Sequence, residues 1–167
     1  MRDAFNPWTV VPELRAVMAF MKTRWNEISL RANSIGAYFS MKAFGNEVLH
    51  RALFVSPVVD MEKLICSMMN WAGVTEDKLQ EKVEIQTSFG ETLSWRYLSW
   101  VREHPVESWC CPTSILYAGE DNLTSRETVE AFVKEYHAAL TVMETASTGF
   151  IRRSSSKCWQ RGSGRTS

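Results

Sequence analysis

Apolar positions along this chain alternate between two spacings. After Pro12, which suits a first helical turn, Leu14, Val17, Met18, Met21 and Trp25 recur at helical intervals. The short run Ile28, Ser29, Leu30 reads as a strand and leads into Ala32, Asn33, Ser34, Ile35 and Gly36. A helical pattern continues from Ala37 to about Phe44. The unbroken apolar run from Ala52 to Val55 is the pattern of a strand covered on both faces. A third strand is predicted over 113–117, ending at Ala118, Gly119, Glu120 and Asp121, and a fourth over 140–143. Between those two lies a helix from about Ser125 to Tyr136.

Strands and helices alternating through short links predict an α/β fold: a mostly parallel sheet of about four strands, with helices on both faces. The stretch from about 60 to 109 breaks this rhythm. It reads as mostly helical at 61–71 and 93–103 and is too long for a simple crossover, so it is expected to be a cap inserted over one end of the sheet. Its Met61, Met68, Met69, Trp71, Trp95, Trp100 and Trp109 are expected to pack cap on core, an apolar ligand or partner site being the alternative.

Composition adds limits. A chain of 167 residues that is 45% hydrophobic can bury one real core, which excludes a disordered chain or a disulfide scaffold. Its 19 basic and 19 acidic side chains argue against a protein that mainly grips nucleic acid. The balance is uneven, however: residues 146–167 hold five basic side chains and no acidic one, leaving 14 basic and 19 acidic in residues 1–145. The folded domain is therefore expected at 1–145, with 146–167 a basic, disordered tail. No run reaches the roughly 18 apolar residues of a membrane span, and the start lacks the pattern of a secretory signal. Cys66, Cys110, Cys111 and Cys158 form no CxxC pair. They are expected to be reduced, small buried hydrophobes in a cytoplasmic protein without metal or cofactor.

The strongest chemical signal is the small-x-Ser-x-Gly stretch from Ala32 through Asn33, Ser34 and Ile35 to Gly36, between a predicted strand and a predicted helix. So sharp a turn needs small residues two before and two after the serine, and it lifts the hydroxyl above the strand end. The Ile35 amide then points at the same space and can hold an oxyanion. Asp121 lies just past the carboxyl end of the third strand, where doubly wound sheets place functional groups. An acid there can orient a histidine for the serine.

In these segments the chain resembles the α/β-hydrolases. RANSIGAYFSM is similar to their nucleophile elbow, LFVSPVVDM to the next strand, and SILYAGEDNLTS to the strand that carries the acid. The resemblance spans roughly residues 10–145. It implies Ser34 as nucleophile, Asp121 as triad acid, and an esterase, lipase or related acyl hydrolase acting on a small acyl substrate. Two departures accompany it. The family takes its base from a histidine after the last strand, but Thr145 to Phe150 contain none. His50, His104 and His137 lie elsewhere; His104, at the end of the cap, is the nearest substitute. The resemblance also implies several strands, and a His-Gly oxyanion loop, before the helix near Pro12. The fold is therefore expected to be a partial one, shortened at the N-terminus, with an unpaired sheet edge open to self-association.

The tail offers a reason for the missing base. Residues 146–154 can be encoded GCG AGC ACT GGT TTC ATA CGG AGG AGC. One added G before them shifts the reading to Gly-Glu-His-Trp-Phe-His-Thr-Glu-Glu: a histidine, then an acidic start of a last helix. Sequencing the coding DNA checks this directly. The expected function is a serine hydrolase of ester or other acyl bonds, impaired in this chain. A non-catalytic binding protein on the same scaffold and an acyltransferase are the alternatives.

Overall fold

The computed structural model describes residues 5–145. The chain opens with helix α1 (Pro7–Lys22), which begins five residues before the Pro12 start read from the sequence. Asn6 sets that start: its side chain accepts the Thr9 N–H at 2.9 Å, and Pro7 occupies the first turn, where a missing amide costs nothing. Next come strand β1 (Ser29–Asn33), α2 (Ile35–Phe44), β2 (Arg51–Val55), α3 (Met61–Ala72), α4 (Glu76–Lys82), β3 (Glu84–Gln86), β4 (Thr92–Ser94), α5 (Trp95–Glu103), β5 (Thr113–Ala118), α6 (Arg126–Tyr136) and β6 (Ala139–Met143).

Strands β1, β2, β5 and β6 form one parallel sheet in that spatial order. Because all four run the same way, their carboxyl ends share one end of the sheet. β1 and β6 are its edges, and no described strand pairs with the outer side of β1.

The described helices that pack on the sheet share one face. Ala32, Ala52, Phe54, Ile115 and Tyr117 point into a core with Val11 and Met18 of α1, Ala37, Met41 and Phe44 of α2, and Val129 and Phe132 of α6. Phe54 is fully buried, and Trp109 packs on it at 5.5 Å while donating its Nε1–H to Thr113. On the opposite face Ser29, Arg51, Leu53, Ser114, Ala139 and Thr141 are exposed, as is Arg31. The expectation of helices on both faces is thus corrected for the described residues. The apolar run 52–55 has a two-sided pattern because Leu53 is apolar, yet Leu53 keeps 39% of its surface in water. Val17 and Trp25, which the spacing assigns to the α1 stripe, are also exposed, at 54% each.

Between β2 and β5 the chain builds a second cluster. Met61, Leu64, Ile65, Met68 and Met69 of α3, Leu79 of α4, Leu93 of β4 and Tyr97, Leu98 and Val101 of α5 pack together and against Tyr38 and Phe39 of α2. Arg102 fastens it outside, bonding Glu62 at 2.6 Å and Glu76 at 2.6 and 2.8 Å. The helix expected from Leu93 starts instead at Trp95, because Leu93 belongs to the antiparallel β3–β4 hairpin and Ser94 is the cap, accepting the Tyr97 N–H. Most of the Met and Trp stripe is core. Trp109 belongs to the sheet's core instead, and Trp71 is 53% exposed beside Phe89. Of the cysteines, Cys111 is buried, Cys66 half-buried and Cys110 exposed, so small-hydrophobe packing fits only the first fully. Among the described residues no cluster of His, Cys, Asp or Glu could hold a metal, and no helix is long and apolar enough to cross a membrane. Cys158 and the tail expectation lie outside the described residues.

Candidate active site

Ser34 sits in the one-residue turn between β1 and α2, with φ 49° and ψ −125°. A non-glycine residue there is strained, on the order of 1–3 kcal/mol, and persists only when its surroundings hold it. They do. The Ser34 N–H donates to the Val55 carbonyl at 3.0 Å, and the Ser34 carbonyl accepts the Val58 and Ala37 N–H groups at 3.0 and 3.1 Å. Ile35 is the first residue of α2, where an amide has no partner in the helix's own ladder. The Ile35 N–H is thus available beside the serine.

The small residues flanking the turn face each other. A methyl built on Gly36 would lie 3.9 Å from the Ala32 Cβ, ordinary contact rather than collision. The turn therefore tolerates alanine at 36, and larger side chains would meet Ala32. Gly36→Ala is expected to raise stability by about 0.5–1 kcal/mol through helix propensity, read from the urea midpoint. Asn33, the remaining elbow residue, ends β1 half-buried.

Asp121 lies in the β5–α6 loop, three residues after β5 ends at the same end of the sheet, two strands from Ser34. Its Oδ1 accepts the Leu123 and Thr124 N–H groups at 2.8 and 3.2 Å, and its own N–H donates to the Ala118 carbonyl. Carboxylate and loop thus fix each other. Ser56, which has no place among the sequence-predicted site residues, ties two strand ends together. Buried, with φ 41°, it donates its N–H to the Leu116 carbonyl at 2.8 Å and accepts the Ala118 N–H on Oγ at 3.3 Å. The Ser-Pro pair at 56–57, directly after an apolar run, is the sequence signal that could have found it.

Ser34 and Ile35 line a cavity of about 550 Å³ with Phe5, Val58, Leu64, Met68, Gly90, Glu91, Thr92 and Leu123. Six segments meet there: the residues before α1, the elbow, the β2–α3 link, α3, the β3–β4 hairpin and the Asp121 loop. The walls are chiefly apolar. They suit the hydrocarbon of an acyl group more than a charged metabolite.

None of the three histidines lines this cavity. His50 directly precedes β2, and His137 lies between α6 and β6, so parallel topology puts both at the opposite end of the sheet. His50 contacts Glu27 at 3.6 Å and Arg51 at 2.8 Å, and His137 is the left-handed cap of α6. His104 stacks on Trp100 at 4.3 Å, its Nδ1 2.8 Å from the Trp100 carbonyl oxygen, and lines a separate cavity bounded by Tyr38, Asp60 and Phe132. It does not line the cavity at Ser34.

No family model and no curated protein matches the chain. Solved structures do. Est1E from Butyrivibrio proteoclasticus superposes with a TM-score of 0.72 at 15% identity, over 93% of this chain and 69% of that protein. The Pyrococcus furiosus esterase Pf2001 gives 0.62 at 16%, over 90% of this chain and 59% of its own. The esterase domain of a Rhodothermus marinus protein gives 0.61 at 11%, over 95% and 66%. The chain therefore has an α/β-hydrolase-like fold, and it spans about three-fifths to two-thirds of the length of these neighbours.

Proposed function

We propose that this chain carries the nucleophile and acid of a serine acyl hydrolase acting on small esters, with turnover impaired for want of a base. The strained Ser34 at the apolar cavity is the observation that supports this most. In the reaction so assigned, Ser34 Oγ attacks the carbonyl carbon, and the Ile35 N–H holds the developing oxyanion. A histidine that Asp121 orients takes the Ser34 hydroxyl proton and passes it to the leaving alcohol, and water, deprotonated by the same histidine, then releases the acid and restores Ser34. Water and an alcohol compete at that last step, so an acyltransferase would use the same groups. Est1E has been solved with ferulic acid bound, which favours aromatic acyl groups for a cavity of this kind. The reduced cysteines fit a cytoplasmic setting, and the segment between β2 and β5 serves as the cap.

The test restores the base. Residues 146–154 are replaced by Gly-Glu-His-Trp-Phe-His-Thr-Glu-Glu, and hydrolysis of p-nitrophenyl esters is measured. The expected gain is about 100-fold or more, abolished by Ser34→Ala and by Asp121→Asn. No gain, or a gain that survives Ser34→Ala, rejects the assignment. One observation favours a second reading, acyl-ligand binding without turnover: the cavity has no histidine in its described wall. Saturable binding of ferulate by the unmodified chain would support it.

A further inference from the structure

A buried polar atom is nearly always hydrogen-bonded, because one without a partner carries its full desolvation cost. Among the described residues, the hydroxyls of Tyr38 and Tyr97 are buried and find no partner. Both side chains are enclosed almost wholly, at 2% and 4% exposure. Tyr38 stands on α2 one turn beyond Ser34, about 6 Å along the helix axis. Tyr97 stands on α5 and packs in the same apolar cluster, so the pair lies where the cap meets the elbow helix. Burial holds both phenols well above the ordinary tyrosine range, and a charge on Tyr38 would push Tyr97 higher still. Each therefore stays a neutral O–H that can donate one hydrogen bond and accept another.

Tyr97 also lines a small cavity of about 10 Å³ with Ile65, Met68, Thr92, Leu93 and Ser94. That is room for a single oxygen- or methyl-sized group. Met68 and Thr92 line the Ser34 cavity as well. The small cavity is thus an inner annex of the large one, parted from it by those two side chains. Met68 is unbranched, with three torsions that let it turn aside.

We propose that Tyr97 sets the acyl specificity of this site: the acyl group enters past Met68 until a hydroxyl at its far end bonds to the Tyr97 hydroxyl. This rests on the reading of Ser34 as nucleophile at the larger cavity, and it adds the substrate class, acyl groups that end in a hydroxyl. The annex admits one such oxygen and little more. An acyl group with a hydrogen at that position leaves the phenol buried and unpaired, and a site built to bond a hydroxyl rejects the analogue that lacks it.

The test measures the binding of two neutral esters to the full, unmodified chain by titration calorimetry. Methyl 4-hydroxycinnamate and methyl cinnamate differ only in the ring hydroxyl. The hydroxylated ester should bind about tenfold tighter. Tyr97→Phe should remove that advantage, leave the affinity for methyl cinnamate unchanged, and hold or raise the urea midpoint, since the hydroxyl it deletes has no partner in the fold. Should that variant fail to fold, Met68→Phe, which plugs the passage with a stiffer side chain, should by itself equalise the two esters. Equal affinities in the unmodified chain, an advantage that survives Tyr97→Phe, or no binding of either ester overturns the proposal. Neither arm involves turnover. Failure of the base restoration with this preference intact would remove the hydrolase reading alone, and success there with equal affinities here would remove the role of Tyr97 alone.

Discussion

A fluorophosphonate probe should leave Ser34 unlabelled over the minutes in which a complete triad reacts, and Ser34→Ala should not change the chain's residual ester turnover. The probe reports an activated hydroxyl, and activation needs a base within hydrogen-bond reach. His50 and His137 lie at the wrong end of the sheet, and the His104 ring is committed to Trp100. Loss of a triad base lowers turnover by about 10⁴ to 10⁶. Against that, the pre-positioned Ile35 amide retains about 10². Activity should thus stay within about 10²-fold of the uncatalysed background. Rapid labelling that Ser34→Ala removes would mean that a base reaches the serine, and impairment would have to be abandoned.

The largest loss of stability from a single methyl is expected at Gly119. Its N–H donates to the Met143 carbonyl at 2.9 Å, at the point where β5 and β6 end side by side. A Cβ there would lie 2.6 Å from the Glu144 carbonyl oxygen and 2.7 Å from its Cα. Both are backbone atoms, which cannot rotate aside as a side chain would. Gly119→Ala must therefore push β6 from β5 or twist the loop that holds Asp121, at a cost of about 2–3 kcal/mol. The urea midpoint should fall, where that of Gly36→Ala should rise. The same substitution thus gives opposite signs, decided by what the methyl meets. An unchanged midpoint for Gly119→Ala would show that β6 gives way freely.

Much of this site is legible in the sequence because its parts are local. The strand–turn–helix at Ser34 is announced by small residues at 32 and 36 and a periodicity switch between them, and Asp121 by its place after an apolar run. The helix caps are equally local: Asp60, Thr75 and Ser125 each accept an amide three residues on. The features that escape are non-local or too short. Strands β3 and β4 have three residues each, too few to show alternation, and Gly90 at φ 87° turns the hairpin. The exposure of Leu53 is hidden, since an apolar residue in a strand looks the same whether or not a helix covers it. The Ser-Pro pair at 56–57 marks a turn, but not the bond from the Ala118 N–H, 62 residues away, that gives Ser56 its role.

The common direction of the four strands has a consequence for how such a protein can change. Each strand ends on the Ser34 side of the sheet, so β6 delivers Met143 to that side by topology, whatever its sequence. The described core residues, Val11 to Ala138, all precede the exit from β6. Ser34 and Asp121 are both encoded before that exit, within the folded stretch. A change of sequence after β6 therefore leaves both residues at the same end of the sheet.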